Sequence, residues 1–212
     1  MTVPRQTFPF VNDCGTNMAM AGDGQAMKRA RSRAKPLDAA RLEELALTYV
    51  ARFATSAAKL ERYLARKVRE RGWEGEREPP IAALVERYVA SGYVDDALFA
   101  RARADSLLRR GYGPRRIGQA LAEAGIGEEE RAATRPSEAA ERHAALALAR
   151  KRRFGPFGHE PVGRDQREKQ LAAMLRAGHR LDTAREMVDA ASEEAAEQWA
   201  AEFDEAELDE EG

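Results

Sequence analysis

Between Gly92 and Ile126 the chain carries a tight succession of helix starts and stops, and this punctuation constrains the fold more than any other feature of the sequence. Asp95 fits an N-cap, with Val94 before it and Phe99 four places inside the helix, the pairing of a hydrophobic staple. That helix should stop at Gly111. Another begins at Gly113 with Pro114 in its first turn, presents Ile117, Ala120, Leu121 and Ala124 on one face, and ends at Gly125, with Ile126 placed to fold back on Leu121.

The same period governs the chain on both sides. Leu42, Leu45, Ala46, Tyr49, Val50 and Phe53 form an apolar stripe at spacings of three and four, and after Ser56, a plausible N-cap, Leu60, Tyr63, Leu64 and Val68 form the next. A linker over Arg69 to Glu78 leads to Pro79 and Pro80, suited to a first turn, and then to Ile81, Leu84, Val85, Tyr88 and Val89, closed by Gly92. Further on, Glu128 to Ala133 predicts a short helix and Ser137 caps one running to about Arg153. A Phe154-Gly155-Pro156-Phe157-Gly158 loop follows. Leu171, Met174 and Leu175 mark a helix ending near Gly178, and Asp182 caps a last one carrying Ala184, Met187, Val188, Ala191 and Trp199. No segment alternates as a half-buried strand does.

These are about nine helices, and they fall into threes. The expectation is an all-α chain without β-sheet: an elongated, curved array of three tandem three-helix repeats over 36–92, 93–135 and 136–200, each burying its apolar face by stacking on its neighbour. A disordered basic arm over 1–35 and an acidic disordered tail over 201–212 flank it.

Composition narrows the function. The 212 residues carry 35 bases against 36 acids, but ten of the acids lie in Ser192 to Gly212, so the remainder holds 35 bases against 26 acids. A basic body with an acidic end favours contact with an anionic partner. The acidic end itself is open to three readings: a mimic of DNA charge, a restraint on the basic arm, or a solvated terminus. The single cysteine, Cys14, allows no internal disulfide and no thiolate cage, which points to a reducing cytoplasm. No apolar run approaches a membrane span, and Ala19-Met20-Ala21, though shaped like a signal cleavage site, lacks the apolar stretch before it.

Catalytic signatures are missing. Gly111-Tyr112-Gly113-Pro114 begins like a dinucleotide fingerprint but has no third glycine and no preceding strand, and reads better as a turn between helices. His143, His159 and His179 are too far apart in sequence for a zinc motif, and Asp95-Asp96 suits capping better than an acid pair. The expectation is a non-enzyme with no metal and no cofactor. What remains is cationic. Arg101, Arg103, Arg109, Arg110, Arg115 and Arg116 lie within sixteen residues that contain one acid, Asp105, and the last two sit beside a helix N-terminus whose N–H groups favour anions. Phosphate or a carboxylate-rich protein surface would suit them. A second group, Arg150 with Lys151, Arg152 and Arg153, adjoins the phenylalanine loop, whose rings are placed to stack on bases. The competing reading of both groups is that the arginine stems cover Ala-rich helix faces and pair with nearby Glu.

The run Gly92-Tyr93-Val94-Asp95-Asp96, then Phe99-Ala100, then Gly111-Tyr112-Gly113-Pro114-Arg115-Arg116-Ile117, then Leu121 and Gly125-Ile126, resembles the signature of the RecX family, bacterial regulators of the RecA recombinase. Ala58 to Lys67, with Leu60, Tyr63 and Leu64, resembles that family's first repeat, and the likeness runs from about Leu42 to Val188. It implies three tandem three-helix repeats and a non-enzymatic protein that lies along the RecA filament on single-stranded DNA, restraining ATPase and strand exchange in recombination, repair and the SOS response; a monomer is the default expectation. Contact with the DNA itself would be weak or indirect. Candidate contacts for RecA or phosphate are Arg101, Arg109, Arg110, Arg115, Arg116, Lys151, Arg152 and Arg153. The rival expectation is a stand-alone DNA-binding protein with Gly113 to Ala124 as the recognition helix of a helix-turn-helix.

Overall fold

A computed structural model describes residues 35–160 and 163–204. The expected basic arm up to residue 34, with Cys14, and the tail beyond 204 lie outside them.

The first apolar cluster is built by α1 (Ala39–Arg52), α2 (Ala57–Arg71) and α3 (Ile81–Ala90). The expected cap Ser56 accepts from the Lys59 N–H, and Asp38, which the sequence reading does not single out, accepts from that of Arg41. The stripes meet through Leu42, Ala46, Leu60, Leu64, Leu84 and Tyr88, all buried. The segment expected as a linker from Arg69 begins only after Arg71, because α2 keeps its period to that point. It is tied down by the Leu37 N–H donating to the Gly72 carbonyl and the Glu74 N–H to the Leu37 carbonyl, both at 2.9 Å.

The second cluster comes from α4 (Asp96–Arg109), α5 (Pro114–Ala124) and α6 (Glu128–Ala133), around Ala100, Ala104, Leu107, Ile117, Leu121 and Ile126. Asp95 caps α4 through the Leu98 N–H at 2.8 Å, and the Ile126 N–H returns to the Leu121 carbonyl at 3.0 Å, as the sequence predicts. The staple resolves differently. Val94 enters the first cluster and Phe99 packs on the second, so the two residues anchor neighbouring bundles.

The third cluster departs most from expectation. It contains α7 (Glu138–Arg152), α8 (Arg164–Arg176), α9 (Leu181–Val188) and α10 (Glu193–Ala201). The single last helix expected from Asp182 is two. Arg180 holds the N-cap position of α9 and Asp182 lies in its first turn, while Ser192 caps a separate α10 by accepting from the Ala195 N–H. Ala196, Ala200 and Trp199 of α10 complete the apolar cluster around Met174, Ala184 and Met187. The described residues thus hold ten α-helices and one short 3₁₀ turn, Gly155–Phe157, with no strand.

The expected acidic end begins as structure. Arg142 on α7, with only 11% of its side chain exposed, bonds Glu138 at 2.8 Å and Glu202 at 2.6 Å, and lies over the Trp199 and Phe203 rings. His143 Nε2 lies 2.7 Å from Asp204.

Two joints connect the bundles, and both place the C-terminus of one second helix on the N-terminus of another. At the first, Ser56, fully buried, donates its hydroxyl to the Ala124 carbonyl at 2.6 Å, and Arg62 donates to the Glu123 carbonyl at 3.0 Å. Asp96 accepts from the Ala57 N–H at 2.8 Å, a second cap supplied by the neighbouring bundle. At the second joint, the Gly113 N–H donates to the Ala177 carbonyl at 2.9 Å and the Arg115 N–H to the Gly178 carbonyl at 3.2 Å. So α8 abuts α5 and α5 abuts α2, matching opposite dipole ends; at the first joint the Ser56 and Arg62 side chains satisfy the α5 carbonyls, and at the second the α5 N–H groups meet the α8 carbonyls directly. Gly125 and Gly178 make this possible. Both hold left-handed φ, +81° and +97°, and a Cβ on either would collide with Ala58 or with the Arg116 backbone.

Candidate functional site

The second joint reshapes the expected anion site at the start of α5. The Gly113 and Arg115 N–H groups are taken by the end of α8 and that of Arg116 by the Gly113 carbonyl, so the helix terminus offers no open donor set, and what Arg115 and Arg116 can contribute is their side chains. Both are exposed. Arg115 enters a groove of about 660 Å³ between α5 and α6, floored by Ile117 and Leu121 and ringed by Arg131, Arg135 and Arg180 as well. Arg131 pairs with Glu128, and Arg180 lies 3.6 Å from Asp182. Among the described residues Arg115 and Arg135 meet no carboxylate at ion-pair distance. An apolar floor edged by the exposed guanidinium groups of Arg115 and Arg135, the latter in the field of the half-buried Glu141, suits an acidic, partly apolar protein segment or a phosphate.

The other candidates do not converge on that groove. Arg101 lines a separate small cleft with Glu129 and Glu130. Arg109 and Arg110 close α4, where a cation favours the dipole, and the Arg110 guanidinium lies 5.2 Å from the centre of the Tyr112 ring. Lys151, Arg152 and Arg153 are exposed at the end of α7. Arg153 takes a left-handed φ of 57° and its guanidinium reaches His159 Nε2 at 2.9 Å. Arg150 is paired with Glu197 and lies 5.8 Å from the centre of the Phe157 ring, and Phe154 and Phe157 are half-buried against the third cluster. The sequence run of arginines is therefore one groove and several separate positions. Among the described residues no three His, Cys, Asp or Glu side chains gather as a metal-holding group, and no helix is long and apolar enough to cross a membrane.

Residues 95–134, covering α4 to α6, match the family described as RecX, second three-helix domain. The Regulatory protein RecX of Myxococcus xanthus (strain DK1622) is 33% identical over 180 residues, which span 81% of this chain and 96% of that one. The chain belongs to the RecX family. The crystal structure of RecX from Lactobacillus salivarius superposes with a TM-score of 0.54 at 17% identity, covering 68% of this chain and 90% of that one. A second RecX crystal structure gives 0.55 at 19% identity and 70% of each chain. Both support the all-α fold.

The first bundle holds a feature that sequence reading missed, since it sees there only a core stripe through Tyr63. Tyr63 is half-buried, stacked on Tyr49 with centroids 4.2 Å apart, and flanked by Lys59, Arg62, Arg66 and Lys67 of the same helix. The signal was present as basic residues at spacings of three and four. Apolar periodicity alone does not distinguish an aromatic ring inside a stripe from one at its rim.

Proposed function

We propose that this protein is a non-enzymatic cytoplasmic regulator that docks on the RecA filament assembled on single-stranded DNA and restrains its ATPase and strand exchange. The observation that carries this reading beyond family membership is the arginine-ringed groove between α5 and α6, whose apolar floor and unpaired Arg115 and Arg135 offer a seat for acidic side chains of an assembled partner. Arg116, exposed beside Arg115, extends that cationic edge, and Arg109 and Arg110 add charge at the end of α4. Three bundles joined end to end can engage several subunits of a filament at once, so modest contacts multiply.

The rival helix-turn-helix reading fares worse. A recognition helix presents its N-terminal end to the major groove, and the start of α5 is abutted by the end of α8, whose Ala177 and Gly178 carbonyls accept from the Gly113 and Arg115 N–H groups. Replacing Arg115 and Arg116 with Ala is expected to weaken inhibition of RecA ATPase on single-stranded DNA by about tenfold, in line with the removal of a charge-assisted hydrogen bond, with helicity unchanged by circular dichroism. Full inhibition by the double variant would remove the groove from the interface.

A further inference from the structure

The first bundle carries a charged surface that the groove does not use. On α2, Lys59, Arg62, Tyr63, Arg66 and Lys67 fall at steps of three and four and so share one face. Tyr49 of α1 stacks on Tyr63 with 16° between the ring planes, and Phe53 tilts onto Tyr49 at 5.3 Å with 56% of its surface exposed. The Arg66 and Lys67 cations lie 5.7 Å and 5.9 Å from the Tyr63 ring centre. At the other end of the face, the Lys59 ammonium sits 4.7 Å over the ring of Phe99, which α4 supplies from the second bundle.

This surface is positively charged in excess. Glu70 serves both Lys67, at 2.7 Å, and Arg66, at 3.7 Å, so one carboxylate faces two cations. Among the described residues Lys59, Arg62 and Arg103 meet no carboxylate at ion-pair distance, and Asp96, at the start of α4, is committed to the Ala57 N–H. Burial first, and then the nearby charges of Arg103 and Arg62, hold the Lys59 ammonium below the usual lysine range. A surface of this kind is relieved by a bound polyanion. Rings interleaved with the cations further select a polyanion that has flat faces to stack.

We propose that this face of α2, with Tyr49 and Phe53 on one side and Arg103 on the other, binds single-stranded nucleic acid directly. Bases stack at the Phe53–Tyr49–Tyr63 edge and phosphates lie on Lys59, Arg62 and Arg103. Duplex fits poorly, because its bases are already stacked on one another. Binding here requires no recombinase and stands apart from the groove on the second bundle.

The test is fluorescence anisotropy of a labelled oligothymidylate of about 20 nucleotides with the full chain, at two salt concentrations and without recombinase. Affinity falls with salt, and the double variant Lys59→Gln/Arg103→Gln binds about tenfold more weakly with a salt slope shallower by about 1.4, near 0.7 for each phosphate no longer neutralised. Phe53→Ala, at an exposed position, costs about fivefold and leaves the slope unchanged. The charge-matched pair Lys169→Gln/Arg185→Gln on α8 and α9 binds within about twofold of the parent. The proposal is overturned if the α2 and α4 variants bind like the parent, if the charge-matched pair loses as much, or if duplex of equal length binds as tightly as the single strand. Because no recombinase is present, either result leaves the ATPase reading to its own assay.

Discussion

His179 shows how much a single side chain does at a joint. Its Nε2 lies 3.0 Å from the Gly111 carbonyl, its Nδ1 is buried without a partner, and it follows Gly178, whose carbonyl receives the Arg115 N–H. The ring therefore serves as a neutral donor wedged between the second and third bundles. Burial holds its imidazole below the ordinary value of 6.5, and the Gly111 bond offsets only part of that. The unfolded chain takes up this proton at about pH 6.5 and the folded chain only at lower pH. Stability is then complete above about pH 6.5 and declines as pH falls, by at most about 1.4 kcal/mol per unit from this residue. Urea midpoints at about pH 7.5 and about pH 5.5 should show a larger loss for the parent than for His179→Gln, and equal losses would mean that the joint does not exclude the charged ring. Nothing in the sequence around residue 179 announces this role. A histidine after a C-terminal glycine is an ordinary sight, and its burial depends on Gly111, sixty-eight positions earlier.

Among the elements, those whose caps and stripes lie together in sequence were legible to within a residue or two. Ser56, Asp95 and Ser137 all accept from the N–H three places on, as their positions predict. The failure at α9 and α10 has a local cause. Asp182 followed by an apolar period looks like a capped start, yet the chain is already helical at Leu181, because the first turn follows directly from the Gly178 joint. Ser192, hidden in an acidic run that suggests a solvated tail, caps a helix that the third core requires. The site was less legible for a related reason. Arginines spaced for one cluster in sequence, Arg101 and Arg115, point into different clefts once α4 and α5 cross, and Arg135 and Arg180, which complete the groove, come from loops that carry no periodic signal. Ser192→Ala should lower stability by about 1 kcal/mol, the usual worth of an N-cap, read as a shift in the urea midpoint followed by Trp199 fluorescence. No shift would mean that Arg142, and not the cap, holds α10 in place.

The whole molecule offers two natural reporters of how tightly its bundles are coupled, since its two tryptophans, Trp73 and Trp199, lie in the first and third. With hydrogen bonds and buried side chains at both joints, Trp73→Phe and Trp199→Phe variants should report coincident urea transitions, as expected of neighbouring units stabilised by their interfaces. Gly178→Ala, which forces a side chain into the Arg116 backbone at a left-handed position, should separate the two transitions and cost about 1–3 kcal/mol. Coincidence in that variant as well would show that the remaining contacts of the joint, the His179–Gly111 bond and Tyr112 packed on both the second and third clusters, suffice for the coupling. The repetition of the joint has a genealogical consequence. A connector that sets a left-handed glycine at one helix end against the start of the next second helix travels with the unit that carries it, so copying one unit in frame would lengthen the protein by a whole bundle. Reach along a partner is thereby a quantity that gene duplication can adjust in whole steps.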